Sequence, residues 1–312
     1  MTCAPVFICG YPRSGTTLLR ALLGQHSQMH FINEPEIIYA LRRAGLTTRD
    51  HVAMHERSAL LERLKTVGLA REHLKRLPRQ VIQKFLSEPE ALSFRSIYES
   101  LLPRPEGSAV WGEKSLNNLF FTREIRSLYP NALIIHLVRD PRATTLSHTR
   151  KHEVKPSIAT FRLEAETWQR WMHTAQSLEG LLEIRFEDLL ADAAKPVAAI
   201  CQQVGLPFEP NMLDAASRSQ DAVMQTASAS SHPNIARDID PTRADTYADL
   251  PKTLLQTIED AAADMMQAYG YAPAPRYLTP LERSRILVAN SLSYFPRKRK
   301  LRRHFNRRLL VS

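Results

Sequence analysis

Gly10-Tyr11-Pro12-Arg13-Ser14-Gly15-Thr16-Thr17 stands directly behind the apolar run Val6–Cys9 and directly ahead of Leu18, Leu19, Leu22 and Leu23. An apolar run, a glycine-bracketed loop and an apolar-periodic segment predict a strand, a tight loop and a helix. Such a loop presents backbone N–H groups at a helix N-terminus, where a phosphate-like anion binds. The spacing Gly10-x4-Gly15 and the hydroxyls of Thr16 and Thr17 match the phosphate loop Gly-x4-Gly-Lys-Ser/Thr. The lysine of that loop is missing, because Thr16 follows the second glycine, and the cation sits inside the loop as Arg13.

Three further runs read as buried strands: Ala109–Trp111, Leu133–Val138 and Leu182–Phe186. Segments of helical periodicity separate them, which predicts an α/β fold with a parallel sheet flanked by helices. Ligands of such sheets bind beyond the carboxyl ends of the strands. This singles out the Arg13 loop, Gly112-Glu113-Lys114-Ser115, Arg139-Asp140-Pro141-Arg142 and Glu187-Asp188. Pro196–Val204 and Pro251–Tyr269 read as later helices, and residues 225–241 as a polar loop. Residues 1–275 are expected to form one domain. Residues 46–105 form a helical insertion in it, either an acceptor wall or lid or simply part of the fold.

Charge narrows the function classes. The chain has 42 Lys/Arg against 32 Asp/Glu, a net charge of +10. Residues 276–312 hold eleven of the bases and one acid, leaving thirty-one of each sign before them. The main body is neutral, so a general affinity for nucleic acid is not expected. Within the tail, Leu301, Phe305 and Leu309 lie four residues apart among bases. A basic amphipathic helix over 297–311 suits an anionic membrane surface, and equally a helix packed on its own domain or a solvated end. No apolar run approaches the ~18 residues of a membrane span, and no secretory signal precedes Gly10. Cys3, Cys9 and Cys201 are too scattered for a disulfide framework or a zinc site. The expectation is a cytoplasmic protein, with peripheral membrane contact through its tail as the open point.

Arg139-Asp140-Pro141-Arg142 follows the most apolar strand, and Ser147 lies eight residues after Arg139. An Arg at a strand end and a hydroxyl about two turns into the next helix can grip one phosphate group together. With the Arg13 loop nearby, this predicts a ligand bearing two separate anionic groups. Tyr-Pro-Arg-Ser-Gly-Thr-Thr, Val-Arg-Asp-Pro-Arg-x4-Ser and Ile-Arg-Phe-Glu-Asp-Leu in this order resemble the sulfotransferases that use 3′-phosphoadenosine 5′-phosphosulfate (PAPS). The likeness runs over most of residues 5–270 and leans toward the bacterial and tyrosylprotein members.

The resemblance implies roles residue by residue. Arg13, Ser14, Gly15, Thr16 and Thr17 would bind the 5′-phosphosulfate, and Arg139 and Ser147 the 3′-phosphate. Arg150 or Lys151 would add a basic contact to the same cofactor. Phe186 falls where relatives carry a cofactor-contacting tyrosine. It would stack on adenine without hydrogen bonding, or serve as a core aromatic on a strand. Counting without gaps places the general base on Glu34, with Glu36 as the alternative carboxylate. Glu34 also suits the first turn of a helix with Pro35 at its first position. Lys114 would join Arg13 in stabilising the leaving phosphate, or pair with Glu113. One of Ser228, Ser230 and Ser231 would touch that phosphate. His26 reads as structural.

The expected reaction is in-line transfer of a sulfuryl group from PAPS to an acceptor hydroxyl on a small molecule, lipid, carbohydrate or peptide. It requires no metal. Two rivals stand beside it. A P-loop kinase or NTPase needs the lysine that is absent after Gly15. A non-catalytic nucleotide- or lipid-binding relative would bind without turnover.

Overall fold

A computed structural model describes residues 4–105, 107–151, 157–216, 237–275 and 279–282, with 284 and 288. The polar-loop serines Ser228, Ser230 and Ser231 and the tail segment 297–311 lie outside the described residues.

Five strands form one parallel sheet: β1 (Val6–Gly10), β2 (Met29–Asn33), β5 (Val110–Lys114), β6 (Leu133–Val138) and β7 (Leu181–Arg185). Their order across the sheet is β2-β5-β1-β6-β7, so the loop after β1 opens at the centre. Two short strands, β3 (His51–Val52) and β4 (Leu92–Ser93), pair antiparallel in a separate hairpin.

Both faces of the sheet are covered, as parallel sheets require. Val6 and Ile8 face one core with Leu19 and Leu22 of α1 (Thr16–Leu23) and with Ile135, Leu137 and Ile184. Phe7 and Cys9 face the other core with Trp111, Ile134, Val138 and Trp168. In the 46–105 segment lie α3 (Arg57–Leu64), α4 (Gly68–Arg76), α5 (Arg79–Ser87) and α6 (Phe94–Ser100), which follow α2 (Ile37–Arg43). Leu60, Leu64, Phe85, Phe94 and Tyr98 join the Phe7 core, so these helices extend the main hydrophobic interior. The buried Arg57 guanidinium donates to the carbonyls of Phe85, Glu88 and Glu90, tying α3 to the end of α5.

Several elements differ from expectation. β2 goes unforeseen because Met-His-Phe-Ile-Asn is half polar, as suits an edge strand whose alternate residues are half exposed. Its Phe31 packs against Gly112, where an added Cβ would meet the ring at 2.4 Å. β5 runs three residues past Trp111, and Gly112, Glu113 and Lys114 are all buried strand residues. Pro251–Tyr269 is two helices, Lys252–Ala261 and Ala263–Ala268.

Glu113 is fully buried and accepts from Asn118 Nδ2 at 2.6 Å. Burial pushes its carboxyl from the ordinary 4.5 up to about 7, against the pull of that hydrogen bond. A group whose folded pKa lies above its unfolded one contributes stability below the unfolded pKa and loses it as pH rises through the folded one. The unfolding free energy should therefore carry a component that falls between about pH 4.5 and 7. In urea titrations across pH 4.5–8, Glu113→Gln should flatten that fall relative to the natural chain. Parallel curves would show that Glu113 titrates normally.

Candidate active site

The loop after β1 turns back on itself through Ser14 N–H donating to Tyr11 O at 3.1 Å. Arg13 takes φ +70° and Gly15 φ +92°, both left-handed. Gly15 caps α1 and, lacking a side chain, makes no capping hydrogen bond to the first N–H groups. Those groups have no partner within the helix, which leaves them for an anion. Ser14 is fully buried, and its hydroxyl has no hydrogen-bond partner. Gly15 is required twice over: its φ disfavours any side chain, and a Cβ there would lie 2.2 Å from the Phe186 ring.

Phe186 is the first residue of the helix Phe186–Ala191 that follows β7, not a strand residue. Only 3% exposed, it packs against Gly15, and the Arg139 guanidinium lies 4.3 Å over its ring. The aromatic therefore braces the loop and the arginine.

Arg139 leaves the end of β6 and is 6% exposed. Its Nη1 donates to Arg13 O at 3.0 Å and its Nη2 to Arg243 O at 2.9 Å. The Trp168 indole in turn donates to Arg139 O at 3.0 Å. Arg139 Nε is buried with no partner. Burial lowers the Arg139 guanidinium to about 10, with Glu187 opposing and with the charges of Arg243 and Arg13 adding to the fall. Ser147 lies on α8 (Pro141–Lys151), and Arg13 Nε donates to its Oγ at 3.0 Å. Burial, and then the charge of Arg243, hold the Arg13 guanidinium below its usual value. Lys151 is lowered by burial and by Arg13, with Glu34 opposing, so it stands within electrostatic reach of the loop. Arg150 is exposed on the same helix.

The acid–base pair comes from the other side of β1. Register sets Asn33 beside Lys114, and Glu34 N–H donates to Lys114 O at 2.7 Å. Lys114 is 1% exposed, and its Nζ donates to Glu34 Oε1 at 2.5 Å. Burial lowers the Lys114 ammonium, and Glu34 opposes that fall. Lys114 does not pair with Glu113, because neighbouring strand residues point to opposite faces. Glu34 (φ +50°) and Glu36 (φ +47°) are both left-handed, and the helix begins only at Ile37. Glu34 is therefore not a first-turn residue with Pro35 behind it. Glu36 is 7% exposed and accepts from Asn117 Nδ2 at 2.7 Å, which commits it to the interior.

The fold thus brings Arg13, Ser14, Gly15, Thr16, Thr17, Glu34, Lys114, Arg139, Ser147 and Lys151 to one end of the sheet. His26 bonds Pro207 O at 2.9 Å and Gln28 N–H at 3.0 Å, away from this end. Sequence reasoning missed Arg243, on the turn Pro241–Asp245, whose carbonyl meets Arg139 and whose charge reaches Arg13. An isolated arginine in a polar loop carries no local signal; only contacts between distant segments reveal it.

The sulfotransferase family model matches residues 5–210, and the chain belongs to that family. A protein-tyrosine sulfotransferase of Drosophila melanogaster is 28% identical over 173 residues, which is 55% of this chain and 30% of that protein. Among solved structures, the sulfotransferase domain of the Synechococcus PCC 7002 olefin synthase superposes with TM-score 0.58 at 23% identity, covering 88% of this chain and 97% of that one. The sulfotransferase domain from the curacin biosynthetic pathway gives 0.50 at 22% identity, over 94% and 98%. These likenesses show a shared fold.

Gly15→Ala should distort the loop and lower stability by about 1–3 kcal/mol, the usual cost of a forced left-handed side chain or an overpacked site. Thermal unfolding measures it. A variant that unfolds at the natural temperature would mean that Phe186 yields at no cost.

Proposed function

We propose that this chain transfers a sulfuryl group from PAPS to an acceptor hydroxyl, with Glu34 as general base. The observation that carries this is the pairing of two unlike halves at one sheet end. One half is a loop and three guanidiniums suited to a ligand with two anionic groups. The other is a carboxylate held against a buried ammonium. The residues fit PAPS on chemical grounds. Beyond the larger effect of burial, Arg243 disfavours the charged form of Arg13, and Arg243 and Arg13 disfavour that of Arg139, which an added anion would relieve. The buried Ser14 hydroxyl and Arg139 Nε supply unpartnered donors.

In this assignment the backbone from Ser14 to Thr17 and the Arg13 side chain hold the 5′-phosphosulfate. Arg139, Ser147 and Arg243 hold the 3′-phosphate, with Lys151 or Arg150 at its edge. Bound there, PAPS supplies the sulfuryl group and a phosphate leaving group. Glu34 accepts the acceptor's hydroxyl proton at a carboxylate oxygen, a role typically worth 10²–10⁴-fold in rate. Lys114, fixed beside Glu34, and Arg13 place positive charge where the bridging oxygen gains electrons. The acceptor bears a hydroxyl; in the Drosophila relative, by its name, it is a protein tyrosine. Helices of the 46–105 insertion would shape the acceptor wall. The protein would work in the cytoplasm, with its tail available to an anionic membrane.

Calorimetry with the product nucleotide, 3′-phosphoadenosine 5′-phosphate, tests the binding half. Arg13→Ala and Arg139→Ala should each weaken affinity about tenfold or more, as for loss of a charge-assisted hydrogen bond. Glu34→Gln should keep that affinity and lose about 10²-fold or more in transfer of labelled sulfate from PAPS into a lysate of the source cells. Natural affinity in both Arg variants would overturn the binding assignment. Natural turnover in Glu34→Gln would remove the base, and tight binding with no transfer to any acceptor would mark a non-catalytic relative.

A further inference from the structure

Tyr11 of the loop packs its side chain into the interior. It is 2% exposed, edge-on to Trp171 with ring centroids 5.6 Å apart. Its hydroxyl donates to Glu164 Oε2 at 2.8 Å and lies 3.3 Å from the Glu164 carbonyl. The same Oε2 lies 2.9 Å from His148 Nδ1. Glu164 belongs to α9 (Ile158–Gln176), and its side chain is 14% exposed. His148 directly follows Ser147 on α8.

The phosphate loop and α8 are therefore tied twice. An inner tie joins Arg13 to Ser147, and an outer tie runs from Tyr11 through Glu164 to His148. The inner tie is made of groups assigned to the ligand, so it is exchanged when they take up phosphate oxygens. The outer tie contains no such group and survives binding. We infer that Glu164 is a positioning residue that sets the spacing between the two anion-binding elements. This rests on the nucleotide site assigned above. Misplacement of binding groups by about 1 Å is enough to cost on the order of 10²-fold in rate, so a carboxylate remote from the chemistry carries weight through such a tie.

Nucleotide affinity and amide hydrogen exchange test this on the full chain. Glu164→Ala, a substitution that favours the helix, should weaken 3′-phosphoadenosine 5′-phosphate binding by roughly tenfold. Tyr11→Phe, which leaves the Trp171 packing in place, should act in the same direction. The double variant should be no weaker than the worse single one, because both remove one interaction. A merely structural role would lower thermal stability and leave the nucleotide affinity of the folded variants natural. Glu164→Gln, which keeps an acceptor for the Tyr11 hydroxyl, should recover part of the affinity. In the protein without nucleotide, amide hydrogen exchange across residues 10–17 should be faster in Glu164→Ala than in the natural chain. Unchanged exchange overturns the inference, as do natural affinity in a folded Glu164→Ala or additive losses. If the natural chain fails to bind the nucleotide, the functional assignment falls, and the exchange comparison alone decides whether Glu164 orders the loop.

Discussion

The Arg139 guanidinium is the knot on which the rest of the structure depends. It grows from the end of β6, bonds the phosphate loop through Arg13 O, and bonds the 241–245 turn through Arg243 O. Its own carbonyl is held by Trp168 of α9, and its flat face lies on Phe186. Five segments far apart in sequence meet at this one residue. Burying a charge costs several kcal/mol even after relaxation, and no carboxylate pairs directly with it among the described ion pairs. Carbonyl dipoles and an aromatic face hold it instead. That leaves the positive charge only partly offset, by Glu187 at longer range, which suits a group whose partner arrives from solution.

Backbone strain is concentrated in the same place. Among the described residues, Arg13, Glu34 and Glu36 are the non-glycine residues with positive φ. Each such conformation costs on the order of 1–3 kcal/mol and persists only where its surroundings enforce it. Here the enforcement is visible: Arg13 by Ser147, Glu34 by Lys114, Glu36 by Asn117 and Ser115. Two of the three carry the chemistry assigned above. The third braces the turn between β2 and α2.

Legibility followed the range of the interaction. The strand, loop and helix around Gly10–Thr17, and the Arg139–Ser147 spacing, are local patterns, and a single sequence carries them. The sheet's central strands are legible because double burial makes them continuously apolar. β2 is not, because an edge strand exposes one side and its sequence is correspondingly mixed. Glu113 and Lys114 look like a loop because charges are rarely strand-buried; Asn118 and Glu34, at the far ends of their hydrogen bonds, make them acceptable. The packing of Phe186 on Gly15 and Arg139 joins distant segments, and no local pattern announces it. Arg243 depends wholly on tertiary contact.

The order β2-β5-β1-β6-β7 gives the two halves of the site unequal anchorage. The groups assigned above to the nucleotide hang mainly from β1 and β6, each clasped by neighbours on both sides. Glu34 hangs from β2, a rim strand with one partner, and reaches its place only by keeping in step with β5. Local opening begins at such margins before the interior yields. Fraying of the rim would withdraw the carboxylate while the central cradle stayed whole. The molecule would then idle as a loaded carrier, holding its donor with no means of spending it.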